Sequence, residues 1–517
     1  MFRNNREKIL LAAIIAAGIL VRVFTIWIGR PEFAGWFNHT YYYFVEVRGI
    51  LENGSMPFGD LPLLFYFYAL IARIMIFFGA GTEFAVVNST RLVMSVVPAL
   101  TALPVFAFLK SLNAGQTLRF RHWLLVFSGA FLPLSLTHMP ELLQKNALGL
   151  LLFTALLTSA YSALKRSSPA KIGLIIVIAV LIVLTHLGTL IAAGLFGIAL
   201  AAALFLTERD VRKTGLAVSA IVLFSAGSLS AVYLFDPARF GRIFVFIKSS
   251  VTNSLLGLLF SGSDWSEKLQ VFAAIVFPIL IIYFLYRIYR NRISEMPKAD
   301  KIFWLANIIF CYFIGAPIID TDVIPRLILF LIIPVIFILG FYLKYSERQW
   351  VNLLLPAALS LCLLVMTFGE VMGAVMRNGN HAAVYKEITA LAEKQKFSSG
   401  DLIITKYGVT EICNWFFKTK STLITSFNKN DLEKYDRVFI LVPVEGEENT
   451  GVPSDEAETG LMSDADKYRL TRRNVLIPAE MEPVYETEHF RLFEIEKPPQ
   501  NWKFDGSGNW AGYQKVK

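Results

Sequence analysis

Residues 144–213 read QKNALGLLLFTALLTSAYSALKRSSPAKIGLIIVIAVLIVLTHLGTLIAAGLFGIALAAALFLTERDVRK. Three apolar runs, near 147–164, 172–185 and 188–206, are separated by gaps of two kinds. The first gap carries Lys165, Arg166 and Lys171. The second, Thr185–Gly188, is a tight turn holding His186 and neither Lys nor Arg. The third returns to Arg209, Arg212 and Lys213. A bilayer penalises a buried charge by about 3 kcal/mol, and Lys/Arg-rich connections stay on the cytoplasmic side. The alternation therefore sorts residues by membrane face.

The same pattern runs along the chain. At about 20 apolar residues per span, spans fall near 9–29, 90–109, 123–138, 147–164, 172–185, 188–206, 215–235, 269–289, 302–319, 327–343 and 351–372. The remaining inner gaps hold Lys110/Arg119/Arg121, Arg287/Arg290/Arg292/Lys298/Lys301 and Lys344/Arg348. About eleven transmembrane helices result. Leu61–Gly79 is the exception, because counting it as a span inverts every later loop. It reads as a re-entrant or interfacial amphipathic helix with Arg73 at its polar edge. The competing reading is a true span with one later run failing to cross.

Composition agrees. The chain has 517 residues, 55% hydrophobic and 17% charged, with a mean hydropathy of +0.54. That excludes an ordinary soluble protein. The net charge of +9 sits between apolar runs, so it marks cytoplasmic loops rather than a nucleic-acid partner. Cys311, Cys362 and Cys413 lie far apart and form neither a disulfide framework nor a metal motif. Met1–Lys8 is basic, and no small-residue cleavage site ends the run after it. The first span therefore reads as retained, with its N-terminus inside.

The fold class is mainly α: a polytopic membrane helical bundle with a small C-terminal extracytoplasmic α/β domain. Residues 1–372 form the transmembrane domain, with a long first outer loop at 30–89; residues 373–517 form the outer module. That module reads as helix Ala383–Lys394, strand Leu402–Thr405, helix Thr410–Phe417, strand Thr422–Thr425 and strand Arg437–Val442. A flexible acidic stretch, Glu445–Gly460, and a strand at Phe490–Ile495 follow. No Gly-rich loop follows a strand, which argues against a nucleotide site.

The order of the outer features, with EFAGWFNHTYYYFVEVRGILENGSMPFGD at 32–60, resembles the GT-C superfamily of membrane glycosyltransferases. That group includes the oligosaccharyltransferase catalytic subunit, protein mannosyltransferases and lipid A aminoarabinose transferases. EFxxWFN is similar to the oligosaccharyltransferase first loop, and RGILENG followed by PFGD to first-loop segments across the group. The resemblance covers roughly residues 1–345 by topology. It implies a polyprenyl-phosphate-linked sugar donor, a bilayer setting and an extracytoplasmic acceptor (lipid, glycan or protein).

One departure matters. The family places an acidic residue just after the first span, where this chain has Ala34 or His39, depending on the alignment. The general base must then come from Glu32, Asp60 or Glu141, the last in the second outer loop THMPELLQKN at 137–146. Asp60 also reads as an N-cap, with Pro62 in the following first turn. Glu46 and Glu52 read as the wet face of an interfacial helix. Lys145, His186 and Arg326 are the donor-phosphate candidates. His186 stands where the family carries a Lys, and Arg326 heads a span after DTDVIP. His39, His138, Asp320 and Asp322 are further outer-face candidates. The histidines sit on separate loops without HxH or HxxxH spacing, which argues against zinc among them. A divalent cation, Mg or Mn, on Glu32, Asp60 and Glu141 stays open. So does a different class of function: a catalytically inactive relative, or a carrier or flippase for a lipid-linked glycan.

Overall fold

The structure is a computed structural model that describes residues 2–28, 38–131, 144–235, 240, 294–315, 324–345, 349–376, 378–405, 409–443, 481–498, 502–508 and 510–513. The predicted span at 269–289 and the acidic stretch at 445–460 lie outside these residues. Two compact units emerge. One comprises Met1–Trp27, Phe58–Leu70 and Arg91–Val371; the other comprises Ile28–Pro57, Ile71–Thr90 and Met372–Lys517.

The first unit is helical. In chain order its helices are α1 (Phe2–Val23), then, after α2 (Asn38–Asn53), α3 (Leu63–Phe77) and α4 (Thr82–Val96), α5 (Ala102–Leu112), α6 (Phe120–Ala130), α7 (Gln144–Lys165), α8 (Pro169–Val183), α9 (Leu187–Glu208), α10 (Val211–Phe235), α11 (Lys298–Gly315), α12 (Ile324–Tyr345) and α13 (Gln349–Met376). Among the described residues, five stretches are long and apolar enough to cross a membrane: Asn5–Trp27, Thr82–Leu112, Gln144–Lys165, Leu187–Glu208 and Thr214–Leu234. Shorter apolar helices accompany them, and the chain is a multi-pass membrane protein. The predicted span at 90–109 begins earlier, at Thr82, and is interrupted by a 3₁₀ turn at Ala99–Thr101 beside Pro98. Helix α3 has 15 residues, about 22 Å of rise against a hydrocarbon core of about 30 Å. It buries Leu64, Phe65, Tyr68 and Ala72 and exposes Phe67, Leu70, Ile74 and Phe77, so its outer side is apolar.

Aromatic packing forms the centre of the bundle. Phe108 packs at a tilt against Phe337 with centroids 4.2 Å apart and meets Tyr161 at 5.0 Å. Phe153 contacts Phe310 at 5.4 Å and Phe330 at 5.5 Å. A polar layer closes one end. Asp300, 1% exposed, accepts hydrogen bonds from Tyr161 Oη at 2.7 Å and Lys344 Nζ at 2.8 Å, and a further one from Tyr345 Oη. Lys298 pairs with Glu208 at 2.9 Å, Lys110 with Glu7 at 2.8 Å, and Lys165 Nζ donates to the Ser111 carbonyl at 2.5 Å. The N-terminal segment and the basic gaps at 110–119, 165–171, 208–213, 298–301 and 344–345 thus gather at one end. The alternation of charge in the sequence predicts this grouping.

The second unit holds helix α14 (Asn378–Lys394), β1 (Asp401–Thr405), α15 (Thr410–Phe417), β2 (Lys420–Leu423), α16 (Asp431–Lys434), β3 (Arg437–Pro443), β4 (Tyr485–Glu486), β5 (Phe490–Glu494), β6 (Trp502–Phe504) and β7 (Trp510–Tyr513). The sheet order is β2-β1-β3-β5-β4, with β1 parallel to β2 and β3, and β5 antiparallel to β3; β6 and β7 form a separate hairpin. The runs DLIIT and RVFILVP are near-continuous apolar because both sheet faces are covered. Leu402, Ile404, Val438 and Ile440 face Phe427 and Trp502. Ile403, Phe439 and Leu441 face Ile388, Cys413 and Phe417 of the helices. The strand expected at 422–425 ends at Leu423, where a 3₁₀ turn begins.

Helix α2, from the segment between α1 and α3, belongs to this second unit. Arg48, buried, donates from Nη1 to the Trp415 carbonyl and from Nη2 to the Asn414 carbonyl, both at 2.8 Å, and its guanidinium lies 4.8 Å from the Trp415 ring centroid. A cation on the last carbonyls of α15 satisfies groups that a helix end leaves open. Burial lowers the Arg48 pKa, with Glu52 and Glu83 pulling the other way. Tyr41 meets Phe416 at 5.7 Å, and Gly49 lies against the Pro57 ring. Glu46, expected on a wet face, is fully buried in this packing, whereas Glu52 is exposed.

Asp401 and Arg437 sit opposite each other in the parallel register of β1 and β3. Arg437 donates from Nε to Oδ1 at 3.0 Å and from Nη2 to Oδ2 at 2.7 Å, and the Ser398 N–H adds a bond at 2.7 Å. Burial alone would raise the Asp401 pKa. The Arg437 and Ser398 hydrogen bonds outweigh it and hold the carboxyl below the ordinary value near 3.8. A depressed folded-state pKa gives stability that is complete above about pH 4 and lost as pH falls through the folded value. Acid unfolding of the detergent-solubilised protein should therefore begin at higher pH, and be less steep, in Asp401→Asn than in wild type. Superimposable acid limbs would dismiss the pair as a contributor.

Candidate functional site

At the bundle end opposite the Asp300 layer, the chain brings three elements together. Asp60, 4% exposed, accepts the Leu61 N–H at 2.6 Å on Oδ1 and takes the Lys145 ammonium on Oδ2. The expected N-cap is displaced, because α3 starts at Leu63 and Tyr66 N–H goes to the Pro62 carbonyl. Asp60 therefore sits just before the cap and directs its second oxygen at α7. Lys145 occupies the first turn of α7, with Nζ 5.8 Å from the Phe65 ring centroid. Beside it Tyr68 Oη donates to Gln144 Oε1 at 2.8 Å. Leu63 N–H donates to the Leu184 carbonyl at 3.0 Å, which seats the start of α3 on the turn between α8 and α9.

His186 is in that turn, extended at φ −163 and ψ 133 as the N-cap of α9. Its side chain makes no cap hydrogen bond. The ring folds over Gly188, where a Cβ would come within 2.8 Å of Cε1. One turn further, Thr189 lies directly against Gly149 of α7, so the starts of α7 and α9 pack without intervening side chains. Leu61, Val232, Leu187 and Leu229 form the apolar seal beneath.

Asp60, Lys145 and His186 thus belong to one end of the first unit. Arg326 is the third residue of α12, which runs from this end towards Asp300; its backbone is described and its side chain is not. His39 is likewise placed by backbone alone, in α2. Glu32, His138, Glu141, Asp320 and Asp322 lie outside the described residues. Two buried polar residues of the first unit lie outside the sequence-predicted site. Asn146 is 1% exposed, and among the described residues neither its Oδ1 nor its Nδ2 finds a hydrogen-bond partner. Buried Arg22 donates to the Gly18 carbonyl at 2.9 Å inside α1. The polar triplet Gln144-Lys145-Asn146 heading an apolar run was the available signal. It is ambiguous, because helix starts are polar anyway.

A trio of Glu32, Asp60 and Glu141 suits a divalent cation poorly at its described member. The two Asp60 oxygens already face a backbone N–H and an ammonium.

The helical bundle with its polar end at Asp60–Lys145, and the loop helix grouped with a C-terminal α/β module, share their fold with two solved structures. The crystal structure of ArnT from Cupriavidus metallidurans bound to undecaprenyl phosphate matches with a TM-score of 0.55 at 11% identity, covering 95% of this chain and 99% of that one. Its apo-state structure matches at 0.50 and 10% identity, with the same coverage. No protein-family model and no curated protein matches the chain.

Proposed function

We propose that the chain is an integral membrane glycosyltransferase that moves a sugar from a polyprenyl-phosphate-linked donor to an extracytoplasmic acceptor with inversion. The observation that carries this reading is the buried Asp60–Lys145 pair at the polar end of an ArnT-like bundle. ArnT itself was crystallised with undecaprenyl phosphate, a lipid whose anionic head needs a cation at the bilayer surface. Lys145 has three N–H donors, so it can keep Asp60 and still bind a phosphate oxygen. Arg326 and His186 add a guanidinium and an imidazole at the same end, where they would stabilise charge on the departing phosphate. Asp60 is the buried carboxylate at this end and takes the proton from the acceptor hydroxyl as that oxygen attacks the anomeric carbon; Glu141 and Glu32 are the other carboxylates able to do so. The positive-inside rule puts the Asp300 end and the N-terminus in the cytoplasm and the Asp60 end outside, with the C-terminal module.

The test is transfer of radiolabelled sugar from polyprenyl-phosphate donors in membranes, comparing wild type with Lys145→Ala, Glu141→Ala and Arg326→Ala. Label should reach lipid or glycan with wild type and fall sharply in Lys145→Ala. If the unmodified protein moves no label from any donor, the enzymatic reading fails, and an inactive relative or a carrier takes its place.

A further inference from the structure

The C-terminal module carries a second set of ligand-bearing side chains that the transfer reaction does not use. Glu387 projects from α14, while Glu488 and His489 form the tip of the connection between β4 and β5. One oxygen from each carboxylate and one imidazole nitrogen lie within 4.8 Å of one another. The tip is held in shape by its own backbone: Thr487 N–H donates to the Phe490 carbonyl at 2.8 Å, and Phe490 N–H donates to Thr487 Oγ1 at 2.9 Å. Glu387 faces it from the helix. Its Oε2 accepts the His489 backbone N–H at 3.0 Å, and its Oε1 meets the ring Nδ1.

An ordinary ion pair accounts for Glu387 and His489, and Glu488, next to His489 in the chain, brings a second carboxylate within 4.8 Å of both. Two carboxylates outweigh one imidazole in charge whether or not the ring is protonated, an excess that a divalent cation neutralises. We propose that Glu387, Glu488 and His489 bind a divalent transition metal ion of the zinc class. The mixed nitrogen and oxygen set suits zinc at bond lengths of about 2.0–2.2 Å, and disfavours magnesium and calcium, which want oxygen alone. Ligand atoms up to 4.8 Å apart must draw closer around such an ion, a movement that the exposed Glu488 side chain can make. The ion would clamp α14 to the β4–β5 hairpin.

The experiment uses the full-length protein in detergent, stripped with a chelator and titrated with zinc chloride at neutral pH. Bound metal is counted after desalting, and thermal unfolding is followed in parallel. Wild type should retain one zinc more than Glu488→Gln or His489→Ala. Zinc affinity in the variants should drop by at least the 10–100-fold that loss of a supporting partner costs at metal sites. Zinc should raise the unfolding midpoint of wild type but not of either variant, and magnesium chloride should do neither. Glu488 is exposed, so Glu488→Gln keeps the fold even if His489→Ala does not. Asp60→Ala and Glu141→Ala should keep the bound zinc, which separates this site from any ion at the membrane chamber. Equal zinc content in wild type and Glu488→Gln, or none in wild type, overturns the proposal, whatever the label-transfer assay returns.

Discussion

Asp60→Asn is expected to cut sugar transfer by about 10²–10⁴-fold, the range contributed by a positioned general base, while leaving the protein folded. The amide still offers an oxygen to Leu61 N–H or Lys145, so geometry is largely kept while the charge and the basicity go. The buried ammonium then loses its counter-charge, which costs stability. The double variant Asp60→Asn/Lys145→Met removes that penalty by making the contact neutral, and its unfolding midpoint should return towards wild type. Transfer should not return with it. That split between stability and turnover is the informative result, because a merely structural pair would recover both. If Asp60→Asn keeps more than a tenth of wild-type transfer, Asp60 does not act as the base, and Glu141 or Glu32 becomes the carboxylate to test.

The largest stability effect should come from the opposite end of the bundle, with Asp300→Ala. Asp300 is the shared acceptor for Tyr161 from α7 and for Lys344 and Tyr345 from α12. Its removal leaves two hydroxyls and an ammonium without their acceptor in a buried layer. Breaking one side of a buried charge pair costs about 3–5 kcal/mol, and the tyrosines add to it. Asp300→Asn keeps an acceptor oxygen and should lose less. Thermal unfolding in detergent reads both, and equal midpoints for wild type and Asp300→Ala would refute the account. Sugar transfer per folded molecule should be unchanged in both variants, because the layer lies at the end remote from Asp60.

Much of this architecture was legible because the bilayer simplifies the physics. Charged gaps must be sorted by side, so Lys110, Lys165, Arg209, Lys298 and Lys344 could be grouped before any helix was placed. The strands Asp401–Thr405 and Arg437–Pro443 announced themselves as short runs rich in Ile, Val, Leu and Phe. What stayed hidden depended on partners distant in sequence. Glu46 looks solvated in FVEVRG, and only the packing of α2 in the second unit buries it. Asp60 has the sequence of a cap. Its pairing with Lys145 spans 85 positions and cannot be read from local spacing. Two-residue strands such as Tyr485–Glu486, and the Trp502–Phe504 hairpin arm, carry too few residues for a period to show.

The Arg48 contact bears on how the molecule can be dissected. A cut at the end of the last membrane helix releases a fragment that lacks α2, so the carbonyls of Asn414 and Trp415 lose their guanidinium donor and the Trp415 face is laid bare. A fragment starting near residue 372 should consequently aggregate or unfold unless residues 28–57 are supplied alongside it. The C-terminal module is therefore a discontinuous domain, assembled from residues 28–57 and 71–90 together with those from 372 onward.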